Sequence, residues 1–251
     1  MKTLPWYETN LRGIHMDCHC PEWDPRIMRR VNPKNAIATL ERAKVNTYYV
    51  FAKCHHGNSY YDTKVGHKHV GLGDRDMLGE FVKECRKAGI AVVAYYSVGW
   101  DARAARSNPD WCMRDSEGEK MYAGNWDAVC VNSPYRDYVY RQLKEVVSNY
   151  DIDGILLDIV GFHVDDKVAC YCDYCKRLFK AKFGRDIPVE PNWKSPLWVK
   201  FVLWRYDVMT SFLKEVSALI RDIKTNLPFT HNFAGSLTSW SVGQDIEDAS
   251  S

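Results

Sequence analysis

The chain has no run approaching the ~20 apolar residues that cross a bilayer, and its opening decapeptide, Met-Lys-Thr-Leu-Pro-Trp-Tyr-Glu-Thr-Asn, lacks the apolar stretch of a secretory signal. These absences predict no membrane partner and a soluble, cytoplasmic protein. It also lacks a basic stripe or an acidic tail: 34 Lys and Arg are interspersed with 32 Asp and Glu, for a net charge of +2. Nucleic acid is therefore not an expected partner. Neither Gly-x-Gly-x-x-Gly nor a P-loop occurs, so nothing supports an open nucleotide-binding sheet, and no organic cofactor is expected.

What is present is enough for a sizeable core: 251 residues, 46% of them hydrophobic, with one globular domain as the default. The nine cysteines are an odd number, and three crowd into Cys170-Tyr-Cys172-Asp-Tyr-Cys175. That spacing suits thiolate ligands better than a secreted disulfide framework and fits a reducing compartment. Nine Trp and fifteen Tyr would serve a carbohydrate pocket or a large core equally well.

Strand and helix patterns alternate along the chain. Leu11–Asp17 reads as a first strand, running into a loop rich in His, Cys and Pro. Asn32-Pro33 reads as an N-cap with proline at the first helical position, followed by an apolar stripe of Ala36, Ile37, Leu40 and Ala43. Val45–Ala52 is β-branched and aromatic, and ends at Lys53-Cys-His-His-Gly57. A helix through Met77, Leu78, Phe81, Val82 and Cys85 stops at Gly89, and the apolar run Ile90–Ser97 is a third strand. Val98–Pro134 is too polar and irregular for a regular element, which predicts a long functional loop. Val139 to Tyr150 recurs at helical spacing before a fourth strand that ends on Asp158. A long amphipathic helix from Leu197 to Ile223 and a fifth strand, Pro228–Asn232, complete the succession.

This βαβ order predicts an α/β protein with a parallel sheet, and large loops after each strand favour a (β/α)8 TIM-type barrel. Only about five βα units fit before the chain ends. The expectation is a single barrel domain over residues 1–251, cut short on its C-terminal side, because an uncovered strand edge is sticky.

Phe51-Ala-Lys-Cys-His-His-Gly57, Ala94-Tyr-Tyr-Ser97 and Gln142 to Asp158 resemble successive motifs of the α-L-fucosidase family. Arg12-Gly-Ile-His-Met-Asp17 and Asn132-Ser-Pro-Tyr-Arg136 resemble the "hypothetical glycosyl hydrolase" relatives of those enzymes. The resemblance implies a retaining glycosidase acting on an oligosaccharide or glycoside, with Asp158 as nucleophile and His15 binding the sugar. Where the family has Lys-His-His-Asp-Gly, this chain sets Cys54, His55 and His56 on the two histidines and the acid, and Leu156 replaces a tryptophan. Lys53, His55, His56, Tyr96 and Trp100 are the further expected substrate contacts. Retention needs a second carboxyl about 5 to 5.5 Å from the first. Asp17, Asp101, Asp165 and Glu247 are candidates, and Glu247 is selected because the family's acid/base lies late in its barrel.

The cysteine triplet, with Cys130 upstream, also resembles the zinc loop of one β-galactosidase family, which implies a structural zinc on Cys130, Cys170, Cys172 and Cys175. Here Asp158-Ile159 stands where that family has Asn-Glu, so the galactosidase mechanism does not transfer directly. The alternatives are a non-catalytic carbohydrate-binding barrel, a β-galactosidase-like enzyme, and a metal-dependent hydrolase using the histidines. Homo-oligomerisation stays open.

Overall fold

The computed structural model describes residues 5–165, 167–235 and 238–249, with backbone only for 248 and 249. In chain order the strands are β1 (Gly13–His15), β2 (Thr47–Lys53), β3 (Asn58–Ser59), β4 (His67–Lys68), β5 (Ala91–Ser97), β6 (Tyr122–Ala123), β7 (Trp126–Asp127), β8 (Gly154–Asp158) and β9 (Phe229–His231). The α-helices are α1 (Trp6–Thr9), α2 (Pro33–Arg42), α3 (Met77–Ala88), α4 (Ala102–Ser107), α5 (Tyr135–Asn149), α6 (Asp173–Phe183), α7 (Pro196–Ile223), α8 (Ser239–Val242) and α9 (Ile246–Ala249). The chain divides into two compact units, Met1–Ser97 with Arg141–Leu157 and Ile220–Thr230, and Val98–Tyr140 with Asp158–Leu219 and His231–Ser251.

The first unit is built on a sheet in which β1, β2, β5, β8 and β9 are neighbours in that order. β2 is parallel to both β1 and β5, with Thr47 aligned on Gly13 and on Ala91. Every residue of β5 is buried, as expected of a strand covered on both faces. By contrast β1 is exposed throughout. Between Phe51 and Lys53 the β2–β5 register shifts by one residue, the kind of irregularity that re-aims a side chain at a strand end. The helices begin and end as their capping residues dictate. The Asn32 side chain accepts the Asn35 N–H at the start of α2, with Pro33 following, and Asp76 does the same for Gly79 in α3. Gly89, at φ 65°, ends α3 in a conformation that costs a side chain most.

The second unit corrects one expectation. Val98–Pro134 is not irregular throughout: Asp101 caps the short helix α4 by accepting the Ala104 N–H, and β6 and β7 form a two-stranded ribbon. Periodicity fails over elements this short, because two to six residues hold too few repeats. In the same unit the Arg205 guanidinium of α7 is fully buried against the Phe162 and Phe201 rings and donates to the backbone carbonyls of Trp240 and Ser241. It ties α8 to α7.

The sheet is an open one among the described residues. The first strand is also shorter than expected, Gly13–His15 rather than Leu11–Asp17. Among the described residues no helix is long and apolar enough to cross a membrane.

Candidate active site

In the first unit the polar groups past β2 and β5 form one linked cluster. Ser97, the last residue of β5, accepts from Lys53 Nζ at its carbonyl, 2.9 Å away, and its Oγ lies 2.7 Å from His55 Nδ1. Lys53 is fully buried and sits 4.6 Å over the Tyr96 ring. The His55 ring stacks on His19 at 3.7 Å between centroids, and His19 Nδ1 accepts the His55 backbone N–H. Burial, reinforced by the charges of His19, Lys53 and His56, pushes His55 down to about 2. It is a neutral imidazole at any working pH. His15 reaches the same cluster through Phe51 and Tyr95, whose rings it meets edge-on, and Asp17 pairs with His19 at 3.1 Å. Tyr96 lies on the other side of β5, where its hydroxyl donates to Gln142 Oε1 of α5 at 2.7 Å.

In the second unit Asp158 ends β8 at a strained turn. Ile159, the next residue, has φ 58°, a left-handed conformation that is unfavourable for a β-branched side chain. Several contacts hold this turn, among them the bond from the Ile159 N–H to Asp158 Oδ1 at 3.0 Å. Asn232, just past β9, donates Nδ2 to Asp158 Oδ1 at 2.5 Å and accepts the Ile159 N–H on its Oδ1 at 3.0 Å. Val98 N donates to the Asp158 carbonyl at 2.8 Å. Gln244 donates to the carbonyls of Val160 and Asn232 and accepts the Ala234 N–H, bracing the two segments against each other. Such over-determination is what keeps a strained conformation populated. A half-buried carboxylate at the C-terminal end of a parallel strand is where α/β enzymes place reacting groups.

The same unit holds the four cysteines. Cys130, Cys170, Cys172 and Cys175 are all buried, and their sulfurs lie within 4.8 Å of one another, with Cys130 and Cys175 at 3.5 Å. Four thiolates on one tetrahedral ion with bonds of about 2.3 Å stand about 3.8 Å apart, so the set fits such an ion. Asn132 Nδ2 donates to Cys175 Sγ and Cys172 N to Cys170 Sγ, the outer contacts a thiolate centre calls for. Hydrogen bonds from the neighbouring thiols, Cys130 first, pull Cys172 far down, while burial holds Cys175 up.

Lys53, His55 and Tyr96 thus belong to one linked group in the first unit, with His15 joined through aromatic contacts. His56 follows His55 and is half-buried. Trp100 belongs to the second unit, where its Nε1 donates to the His163 carbonyl and its ring stacks on Trp126. Glu247 lies exposed in α9. Sequence reasoning passed over His19, Ser97, Asn232 and Gln244. The polar residue closing a strand was a usable signal for Ser97 and Asn232; nothing local marks Gln244.

Parallel strands alternating with helices, with polar groups gathered at the strand ends, place the chain in the α/β class. Residues 32–159 match the hypothetical glycosyl hydrolase 6 family, just over half the chain, and the chain belongs to that family. Among solved structures, "Alpha-L-fucosidase isoenzyme 2 from Paenibacillus thiaminolyticus" is 33% identical over 88% of this chain and 32% of its own, with a TM-score of 0.75. A β-galactosidase from the psychrophilic Marinomonas ef1 aligns over 95% of this chain and 38% of its own at a TM-score of 0.70 and 13% identity, a likeness of fold alone. An S-layer-related protein of Niallia circulans is 24% identical over 140 residues, 48% of this chain and 8% of that protein. The chain spans well under half the length of each of these relatives.

Proposed function

We propose that the protein is a retaining glycosidase, α-L-fucosidase-like, in which Asp158 is the nucleophile. The observation that carries this reading is the Asp158 carboxylate itself, at the end of β8 on a strained turn clamped by Asn232. Family membership and the likeness to the Paenibacillus fucosidase support it. Asp158 would attack the anomeric carbon to form a glycosyl ester while a second carboxyl protonates the departing oxygen. Water, deprotonated by that same carboxylate, would then release the sugar with retention.

Glu247 is assigned the second role on the resemblance. His15, Lys53, His55, His56, Tyr96 and Trp100 are assigned to substrate binding, with Lys53 and Tyr96 buried and held by Ser97 and Gln142. The protein would act in the cytoplasm, where thiols stay reduced. The architecture we propose is a (β/α)8 barrel of which this chain supplies the first five strands. The exposure of β1 supports that reading.

We assign a structural zinc to the four cysteines. Its role when bound would be to fix the loop after β8; no step of the reaction is assigned to it.

The test is Asp158→Asn assayed on aryl α-L-fucoside and aryl β-galactoside. The reading requires a loss of at least about 10⁴-fold in kcat with one of these substrates, in line with removal of a group at the reacting centre. Equal turnover by parent and variant overturns it.

A further inference from the structure

A second group of cysteines is left unused by the glycosidase reading, and it lies in the loop that follows β1. Seven of the nine cysteines are buried, and Cys18 and Cys20 alone are partly open to solvent. Their sulfurs stand 3.7 Å apart. The loop is held in this form by buried side chains: the Tyr60 hydroxyl donates to the Cys18 carbonyl at 2.7 Å and accepts the Cys20 backbone N–H at 3.0 Å, and Asn58 Nδ2 donates to the Cys20 carbonyl at 3.1 Å. Tyr60 is itself fully buried, so the clamp is anchored in the core. Two sulfurs already in contact, on a pinned backbone and partly open to solvent, are placed to close to the ~2.05 Å of a disulfide bond.

We propose that Cys18 and Cys20 form a reactive dithiol that closes reversibly to an intrachain disulfide on encountering a small-molecule disulfide of the glutathione class. Cys20 is the attacking sulfur. The hydrogen bond it receives from Cys18 brings it down to about 7, whereas the same bond, with burial, holds Cys18 far above its ordinary value. A thiol poised near ambient pH is the most effective in exchange. The Cys20 thiolate attacks one sulfur of the small disulfide, forming a mixed disulfide and expelling one thiolate. Cys18 then gives its proton to water, attacks Cys20 Sγ and expels the second thiolate, which takes up a proton as the first has done. Two cysteine thiols are oxidised, and one small disulfide is reduced to two thiols.

The ring that closes contains His19, whose imidazole stacks on His55. Oxidation therefore acts on the strand-end cluster through the residue between the two sulfurs. The proposal does not depend on the glycosidase reading.

The experiment uses the full chain, reduced, freed of reductant and exposed to glutathione disulfide, followed by trypsin and mass spectrometry. Cleavage after Arg12 and Arg26 releases Gly13–Arg26, which holds Cys18 and Cys20 and no other cysteine. The expected product is this peptide lighter by two hydrogens, restored by dithiothreitol. In Cys18→Ser the peptide is expected to stop as the glutathione adduct on Cys20, because the resolving thiol is gone. In Cys20→Ser adduct formation should slow by at least tenfold. An unmodified peptide in the parent, a parent that stops at the adduct, or a disulfide linking either residue to Cys54 overturns the proposal.

Discussion

The Asn232 side chain bonds at once to the Asp158 carboxylate and to the backbone of the residue after it. The Ile159 N–H can only donate, which fixes Asn232 Oδ1 as its acceptor and leaves Nδ2 for Asp158 Oδ1. One amide from the end of β9 thereby bonds both the carboxylate and the strained backbone beneath it, alongside the bond from the Ile159 N–H to Asp158 Oδ1.

Asn232→Ala removes both contacts without removing the carboxylate. Under the proposed mechanism kcat on the aryl glycoside falls by about 100-fold, the cost of a small misplacement at a reacting centre. KM should stay within about threefold, since Asn232 is not assigned to substrate. Asn232→Asp keeps the shape but faces a carboxylate with a carboxylate, and should be the more damaging of the two. A variant with parental kcat would show that the turn holds Asp158 without Asn232.

Gly99→Ala tests the turn from its other side. A Cβ at Gly99 would stand 2.3 Å from the Ile159 carbonyl oxygen and 2.9 Å from its Cγ2, so the Asp158–Ile159 backbone must move. A stability loss of about 1–3 kcal/mol is expected from such overpacking, accompanied by a fall in kcat like that of Asn232→Ala. Urea unfolding and steady-state kinetics on the same preparation give both numbers. Full activity at parental stability would mean that the turn tolerates the shift and that its strain serves no purpose.

How much of this was legible in the sequence follows from what each pattern encodes. Caps such as Asn32 and Gly89 are local chemistry, and they bound helices where the side chains predicted. Apolar runs such as Ala91–Ser97 report burial on both faces, so the parallel sheet was legible too. The clamp on Asp158 was not: Asn232 lies 74 residues away in sequence, and a contact made only after folding leaves no mark in the neighbouring residues. The same holds for Tyr60, which gathers Cys18 and Cys20 from 40 or more residues downstream. His19 was hidden for a different reason, since a histidine in a polar loop looks solvated until its stacking partner His55 is placed.

The cysteine cluster gives a prediction about stability rather than rate. Protein purified without chelator should carry one zinc per chain by elemental mass spectrometry, and Cys175→Ser should carry less. Loss of a structural metal is among the few changes that cost about 4 kcal/mol or more, roughly 10 °C in Tm at this chain length. Chelation of the parent should lower Tm toward that of the variant. Metal-free protein that melts with the parent would remove the zinc assignment.

Stability should fall on mild acidification, earlier than carboxylate titration would make it. His55 is pushed down to about 2 and His163 to about 4, in both cases chiefly by burial, while an unfolded histidine titrates near ~6.5. Below that value the unfolded chain binds protons that the folded chain refuses, so folding weakens as pH falls and recovers as it rises. For His55 the window runs from about 6.5 down to about 2, and its stabilisation is fully present above the upper limit. Between pH 7.5 and 5.5 this one residue accounts for about 1 kcal/mol. The salt-bridged carboxylates Asp115 and Glu215, held below their ordinary values by hydrogen-bonding partners despite some desolvation, contribute only at lower pH. Urea midpoints at the two pH values should therefore differ in the parent and differ less in His55→Gln, where His163 still contributes, whatever that substitution costs at pH 7.5. Parallel shifts in the two proteins would place the acid sensitivity elsewhere and leave His55 without a part in it.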